Sequence, residues 1–183
     1  MDAVASLRPF PVDVELTTGW TYTIPALPAA DWIEAVLTAE GGALFPGLLR
    51  DGEYEAEVWQ ALTRGELPLE EMVSTARAAL SAAAGRDWWV ADRLIRSAMH
   101  DSTRANILGG LVRSGLDVTQ ISLAMFCDSV YSFVTQNADE SQRFQLDAEL
   151  GTPPPEATEE EIMGDEEEYE RQFLASLGDR GAG

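Results

Sequence analysis

The pattern of hydrophobic and polar positions divides the chain into a short β segment and a longer helical one. Residues 12–24, VDVELTTGWTYTI, contain two runs of strand-forming residues with Thr17, Thr18 and Gly19 between them, which predicts a β-hairpin. An isolated hairpin is unstable in water. We therefore expect it to pack on the helices that follow, or to pair with another chain through its open edge.

After the hairpin, the hydrophobic positions recur at helical spacing. Pro28 and Pro68 stand where a first helical turn favours proline. Glycines follow the periodic segments, as is typical of helix ends, at Gly41, Gly65, Gly85, Gly115 and Gly151. The predicted helices cover residues 29–39, 53–64, 69–84, 87–99, 103–114, 117–137 and 140–150.

Two of these helices begin with the spacing of a capping box. Asp117 is followed three positions later by Gln120, and Asp139 by Gln142. In such a box the acid accepts early backbone N–H groups and the glutamine reaches back to the backbone of the acid. The sequence therefore predicts helix starts at both aspartates.

The predicted helix at 117–137 changes character along its length. Its segment Ile121–Cys127 is apolar except for Ser122, which predicts burial on all sides. The later polar positions recur at three- and four-residue spacing and indicate a face that meets water or a partner. They are Asp128, Ser129, Ser132, Thr135 and Gln136.

The predicted helix at 87–99 has an apolar face that includes Trp88, while Trp89 falls on its polar side. An exposed tryptophan would be an interface anchor, because it buries a large area at small entropic cost. The alternative is that a neighbouring loop covers Trp89, since tryptophan is mostly buried in proteins.

Composition limits the classes of function. The 183 residues, 45% of them hydrophobic, suffice for one core, and the formal net charge of −20 disfavours binding to nucleic acid or to an anionic membrane. No segment has the roughly 18 apolar residues of a membrane span. We expect a soluble, intracellular, mainly α protein with an N-terminal hairpin segment at 1–27, a helical domain at 28–150 and a tail at 151–183.

The tail is set apart by its residues. Residues 153–155 are prolines, which form a stiff spacer, and residues 156–170 include nine acidic side chains and no basic one. Such a segment is predicted to be disordered by itself. Four later residues have helical spacing and would let the tail fold against a partner: Tyr169, Phe173, Leu174 and Leu177. A purely solubilising tail is the alternative.

No residue is predicted to be catalytic, to bind a cofactor or to hold a metal. Cys127, the single cysteine, lies in the most apolar run, where a thiol behaves as a small hydrophobe with a raised pKa. His100 is the only histidine, and the dipole of the helix that it ends accounts for its place. A hydrolase that uses His100 and Asp101 is the third hypothesis for the function.

A patterned stretch runs from Leu116 to Leu150, and it resembles the tail assembly chaperones of long-tailed, siphovirus-type phages that infect actinobacteria. The stretches WWVADRLI at 88–95 and GLVRSGLD at 110–117 are also similar to that family. So is the proline-rich, acidic segment that follows Leu150. The resemblance covers residues 87–170. The matching residues of the patterned stretch are Asp128, Val130 and Tyr131, then Asn137, Asp139, Glu140, Arg143, Phe144, Asp147 and Leu150.

The resemblance implies a non-catalytic protein of the host cytoplasm, absent from the mature virion, that coats the tape-measure protein and helps recruit the tail-tube protein. Homo-oligomers and a longer, frameshifted product are in keeping with it. The alternative is a structural virion component, such as a tail-tube or head-completion protein, whose hairpin joins a neighbouring subunit. The predicted partner-binding residues are Trp88, Trp89, Asp128, Tyr131, Phe133, Phe144, Tyr169 and Phe173.

Overall fold

The fold is known from a computed structural model, which describes residues 8–17, 19–38, 44–49, 52–159 and 161–162. Within these residues a two-stranded hairpin is followed by helices, which confirms the mainly α fold with an N-terminal hairpin. The elements are β1 (Val12–Glu15), β2 (Thr21–Ile24), α1 (Ala29–Thr38), α2 (Leu44–Leu49), α3 (Gly52–Arg64), α4 (Leu69–Ala84), α5 (Trp88–Met99), α6 (Arg104–Arg113), α7 (Leu123–Thr135) and α8 (Glu140–Gly151).

The hairpin presents one apolar face to the helices. The strands are antiparallel, with Val12 opposite Ile24 and Val14 opposite Tyr22, and these four side chains are buried. Side chains alternate between the two faces of a strand, so the residues between them are exposed. Gly19 has a φ of 79°, which a turn residue without a β-carbon adopts freely. β1 packs against α4 and β2 against α2.

Helix α5 lies at the centre of the helical body. It contacts α1, α4, α6, α7 and α8. Three of its residues, Ala91, Ile95 and Ala98, are fully buried, and the short alanine side chains let neighbouring helices approach closely. A helix with neighbours on so many sides buries more than one apolar stripe. This position decides where the two tryptophans at its start lie.

Helix α7 begins six residues later than predicted, so the predicted helix start at Asp117 is wrong. The carbonyl oxygens of Val118 and Ile121 accept backbone N–H groups from the start of α1, each at 2.9 Å. Carbonyl groups used in this way are not available for hydrogen bonds along their own helix. The segment 118–121 therefore caps α1 instead of extending α7. Its burial was predicted correctly, because Ile121 and Leu123 are buried.

Asp117 and Ser122 cap different structures. The Asp117 carboxylate accepts hydrogen bonds from the backbone N–H and the hydroxyl of Thr119, at 2.9 and 2.7 Å, and these bonds lower the pKa of Asp117. The Ser122 hydroxyl accepts the N–H of Met125 at 3.1 Å and caps α7. A short side-chain cap thus competes with helix formation at Asp117.

The second predicted capping box is confirmed at the start of α8. Asp139 accepts the backbone N–H of Gln142 at 2.9 Å, and the side-chain oxygen of Gln142 accepts the N–H of Asp139 at 3.0 Å. Helix α2, in contrast, was not predicted, because its sequence LFPGLL contains two poor helix formers. Buried side chains, including Phe45 and Leu48, stabilise this short helix. None of the helices in the described part of the chain combines the length and apolar character that crossing a bilayer requires.

Candidate partner-binding site

A groove of about 600 Å³ lies between α6 and α7. It contains two of the predicted partner-binding residues, Asp128 and Phe133. Most of the polar stripe predicted on α7 also lines it, so that stripe borders an open surface. Its hydrophobic lining comes from Ile107, Leu111, Leu116, Met125 and Phe133, and its polar lining includes Arg113, Asp128, Ser129, Ser132 and Gln136.

Gly110 lets the Phe133 ring approach the backbone of α6. A β-carbon at position 110 would lie 3.2 Å from Cε2 of Phe133, whereas one at Gly109 would meet only the Arg113 guanidinium, at 3.5 Å. The first distance is shorter than an ordinary van der Waals contact between carbon atoms. Gly110 is therefore a close-packing site between α6 and α7.

The two glycines should respond differently to alanine. Gly109→Ala is expected to stabilise the protein by about 0.5–1 kcal/mol, because alanine restricts the unfolded chain and favours the helix. Gly110→Ala should stabilise the protein less than Gly109→Ala does, or should destabilise it, because the Phe133 ring must move to make room for the added methyl group. Urea denaturation of both variants measures the difference. An equal gain in both would contradict the close approach of Phe133 to α6.

A second, mainly apolar depression of about 530 Å³ adjoins the groove along α6. The two share Leu111 and Leu116, so together they form one surface, here called the α6 surface. Val112 lies in the depression and is 73% exposed, which is unusual for a valine. The other residues of the depression are Leu108, Gly115, Asp117 and Val118.

Trp89 is buried, so of the two alternatives for this residue the exposed interface anchor is wrong and the covered side chain is correct. The ring of Trp89 packs edge-on against that of Trp88, with centroids 5.8 Å apart. Because α5 is surrounded by other helices, burial extends beyond the apolar stripe that the sequence shows. Trp88 is half-buried. The guanidinium group of Arg77 stacks over its ring, with the guanidinium carbon 4.2 Å from the ring centroid.

Three further predicted residues lie on α7 and α8. Asp128 is largely exposed and forms an ion pair with Arg86. The Tyr131 hydroxyl donates a hydrogen bond to Asp147 at 2.6 Å, and this bond raises the pKa of Tyr131. Phe144 is 76% exposed on α8. Asp128 and Phe133 are thus brought together at the groove, whereas Phe144 belongs to a different surface.

The described start of the acidic tail is docked on α4. Arg77 donates to the carbonyl oxygen of Glu156 at 3.0 Å and to the carboxylate of Glu161 at 3.4 Å. Thr158 and Glu161 cap each other's backbone N–H groups, at 2.7 and 3.2 Å. An ion pair of this kind contributes about 0–1 kcal/mol, so the contact is weak. The predicted residues Tyr169 and Phe173 lie outside the described residues.

Arg93 fixes the chain just before the tail. It donates to the carbonyl oxygens of Glu149, Leu150 and Thr152, at 2.6, 2.9 and 2.7 Å. These carbonyl groups end α8, where a cation is favoured by the helix dipole. Neither Arg93 nor Arg77 was predicted to be a functional residue. One signal was present for Arg77, which is the only charged residue between Glu71 and Arg86.

Of the residues considered for catalysis, Cys127 lies in the core and His100 is exposed at the end of α5. Cys127 is fully buried, which confirms its assignment to the core, and burial raises the pKa of its thiol to about 12. His100 ends α5, and its Nδ1 lies 2.8 Å from the Ser102 hydroxyl. No group of His, Cys, Asp and Glu side chains with the number needed to hold a metal ion occurs among the described residues.

Cys127 is expected to report unfolding. With its pKa moved from 9.0 to about 12, the thiolate fraction near neutral pH falls by a factor of about 1000. Iodoacetamide should therefore alkylate the native protein at least about 100-fold more slowly than the denatured protein, which mass spectrometry measures. Because the unfolded chain ionises first, stability should also fall as the pH rises above 9.0. Rapid alkylation of the native protein would contradict the buried position.

Comparisons of the chain with protein-family models, with curated proteins and with solved structures found no match.

Proposed function

We propose that this protein is a tail assembly chaperone of a long-tailed phage, which binds the tape-measure protein, keeps it soluble and helps recruit the tail-tube protein. The observation that carries the proposal is the α6 surface, an open and largely apolar area on an acidic body. A tape-measure protein is long, helical and prone to aggregate. Its partner therefore needs an apolar surface that accepts amphipathic helices.

The size of the α6 surface suits such a helix. Helix α6 has 10 residues and is therefore roughly 15 Å long, which matches about three turns of a client helix laid along it. The client's apolar side chains would fill the depression around Val112 and the groove beside Phe133. Arg113 and Asp128 border the groove and would face the polar flanks of the client.

The charge of the chain supports the same role. A formal net charge of −20 on 183 residues produces repulsion between complexes that carry several copies of the protein. Apolar segments of the client are covered by the α6 surface, and the acidic exterior keeps the complex dispersed. Catalysis has no part in this mechanism.

Co-expression with the tape-measure protein of an actinobacterial phage tests the proposal. The tape-measure protein should move from the insoluble to the soluble fraction, and the two proteins should elute together from a size-exclusion column. A tape-measure protein that stays equally insoluble, with no complex recovered, would refute the assignment. A version of the protein with the α6 surface altered serves as the control, as described in the Discussion.

A structural role in the virion is the second candidate, and the hairpin favours it. Within the described residues β1 and β2 pair only with each other, so each strand has an edge without a partner strand. A neighbouring subunit could add a strand there. Quantitative mass spectrometry of purified particles separates the two roles. Stoichiometric amounts in particles would support the structural role, and absence from particles would support the chaperone.

A further inference from the structure

The corner between α4 and α5 is a second surface, separate from the α6 surface. It is formed by Arg77 and Trp88, with the ring of Trp89 edge-on against that of Trp88, and residues 156–159 and 161–162 of the same chain are docked on it through Arg77. We propose that this corner, here called the Trp88 corner, is a docking site for the start of an acidic helix of another protein. Residues 156–159 and 161–162, here called the plug, fill the corner and can be released from it.

The plug shows which chemistry the corner accepts. Arg77 binds a backbone carbonyl oxygen, that of Glu156, and a carboxylate, that of Glu161, while its guanidinium stacks on Trp88. The reciprocal cap between Thr158 and Glu161 is the pattern of a helix start. A partner segment with serine or threonine followed three residues later by glutamate would present the same groups to Arg77.

The corner also holds donors that the plug does not use. The indole N–H groups of Trp88 and Trp89 are buried and have no hydrogen-bond partner in the described part of the chain. Buried N–H groups in folded proteins nearly always have an acceptor. A segment that brings carbonyl or carboxylate oxygens to these donors gains hydrogen bonds that the plug does not make. This unused capacity is the reason for regarding the plug as replaceable.

Charge narrows the class of partner. The chain has 12 basic residues against 32 acidic ones, and one of the basic residues, Arg77, stands at this corner. An acidic segment is attracted to Arg77, while the acidic surface as a whole repels it. The partner is therefore expected to insert only the first turn of a helix, with its remaining length directed away from the acidic body.

The test compares two full-length variants, Glu161→Ala and the matched control Glu159→Ala. Glu161 binds Arg77, whereas Glu159 is exposed, and both changes remove one negative charge. Solvent exchange of the Trp88 indole N–H is measured by NMR. A synthetic peptide of residues 153–168 is then titrated as the probe into both variants. Circular dichroism checks that the helical body is unchanged.

Opening of the plug should speed exchange of the Trp88 indole N–H about threefold in Glu161→Ala and leave it nearly unchanged in Glu159→Ala. The peptide should bind Glu161→Ala about threefold more tightly than Glu159→Ala, and adding Arg77→Gln to Glu161→Ala should abolish binding. Equal exchange and equal peptide affinity in the two variants would overturn the proposal, as would binding that survives the loss of Arg77. These outcomes do not depend on whether the protein binds a tape-measure protein.

Discussion

Replacing Phe126 by alanine is expected to lower the free energy of unfolding by about 3–5 kcal/mol. Phe126 is fully buried on α7, which packs against α1, α4, α5 and α6. Truncation removes an aromatic ring from the centre of these contacts and leaves a cavity that the surrounding helices fill only in part. Single domains are stable by only about 5–15 kcal/mol, so the variant should unfold at much lower urea concentration.

Phe144→Ala provides a matched control, because the chemical change is identical. Phe144 is 76% exposed on α8, and none of the residues of α8 is buried. The expected cost is within about 0.5 kcal/mol, as for most surface substitutions. Urea denaturation followed by circular dichroism compares the two. Similar losses in both variants would mean that another part of the protein covers Phe144 or that Phe126 is not in the core.

The parts of the fold that could be predicted depend on local signals. The hairpin follows from strand-forming residues around a turn, and the capping box at Asp139 and Gln142 is complete within four residues. Gly65, Gly85 and Gly115 adopt positive φ angles at the ends of elements, as their spacing predicts. Each of these features is decided by neighbours in sequence, so a single sequence contains the information.

The wrong predictions concern features that are determined by contacts between residues far apart in the sequence. The carbonyl oxygens of Val118 and Ile121 bind the start of α1, roughly ninety residues away in sequence, and this contact delays the start of α7. Trp89 is buried because α5 lies among other helices, which its own periodicity does not reveal. A pattern along one helix gives the direction of one apolar face. It does not give the number of neighbouring helices.

In the candidate site, too, some residues could be predicted from local signals and others depend on contacts between distant parts of the chain. Asp128 and Phe133 were predicted from their positions on α7, and both line the groove. The contribution of α6 was not predicted, because exposure of Val112 depends on how α6 packs against α5 and α7. The docking of Glu161 on Arg77 joins residues 84 positions apart, a pairing that charge alone leaves open in a chain with 32 acidic residues.

Val112→Glu is expected to weaken binding of an amphipathic client helix by about 2 kcal/mol or more, which is roughly thirtyfold in Kd. Val112 lies in the apolar depression of the α6 surface and is 73% exposed, so glutamate is tolerated in the free protein. A bound client helix would cover the carboxylate, which then loses its hydration without gaining a cation. The yield of soluble tape-measure protein on co-expression should fall in parallel.

Leu69→Glu is the matched control for this loss. Leu69 is an aliphatic residue that is 53% exposed at the start of α4, outside the α6 surface, and the substitution adds the same charge to the chain. A glutamate in a first helical turn is favoured by the helix dipole, so the fold should be kept. If binding depends on the α6 surface, Val112→Glu loses affinity and Leu69→Glu does not. Both variants differ from the parent protein by the same charge. Equal losses of affinity would therefore indicate that general repulsion between acidic chains controls the interaction, and not an apolar contact at α6.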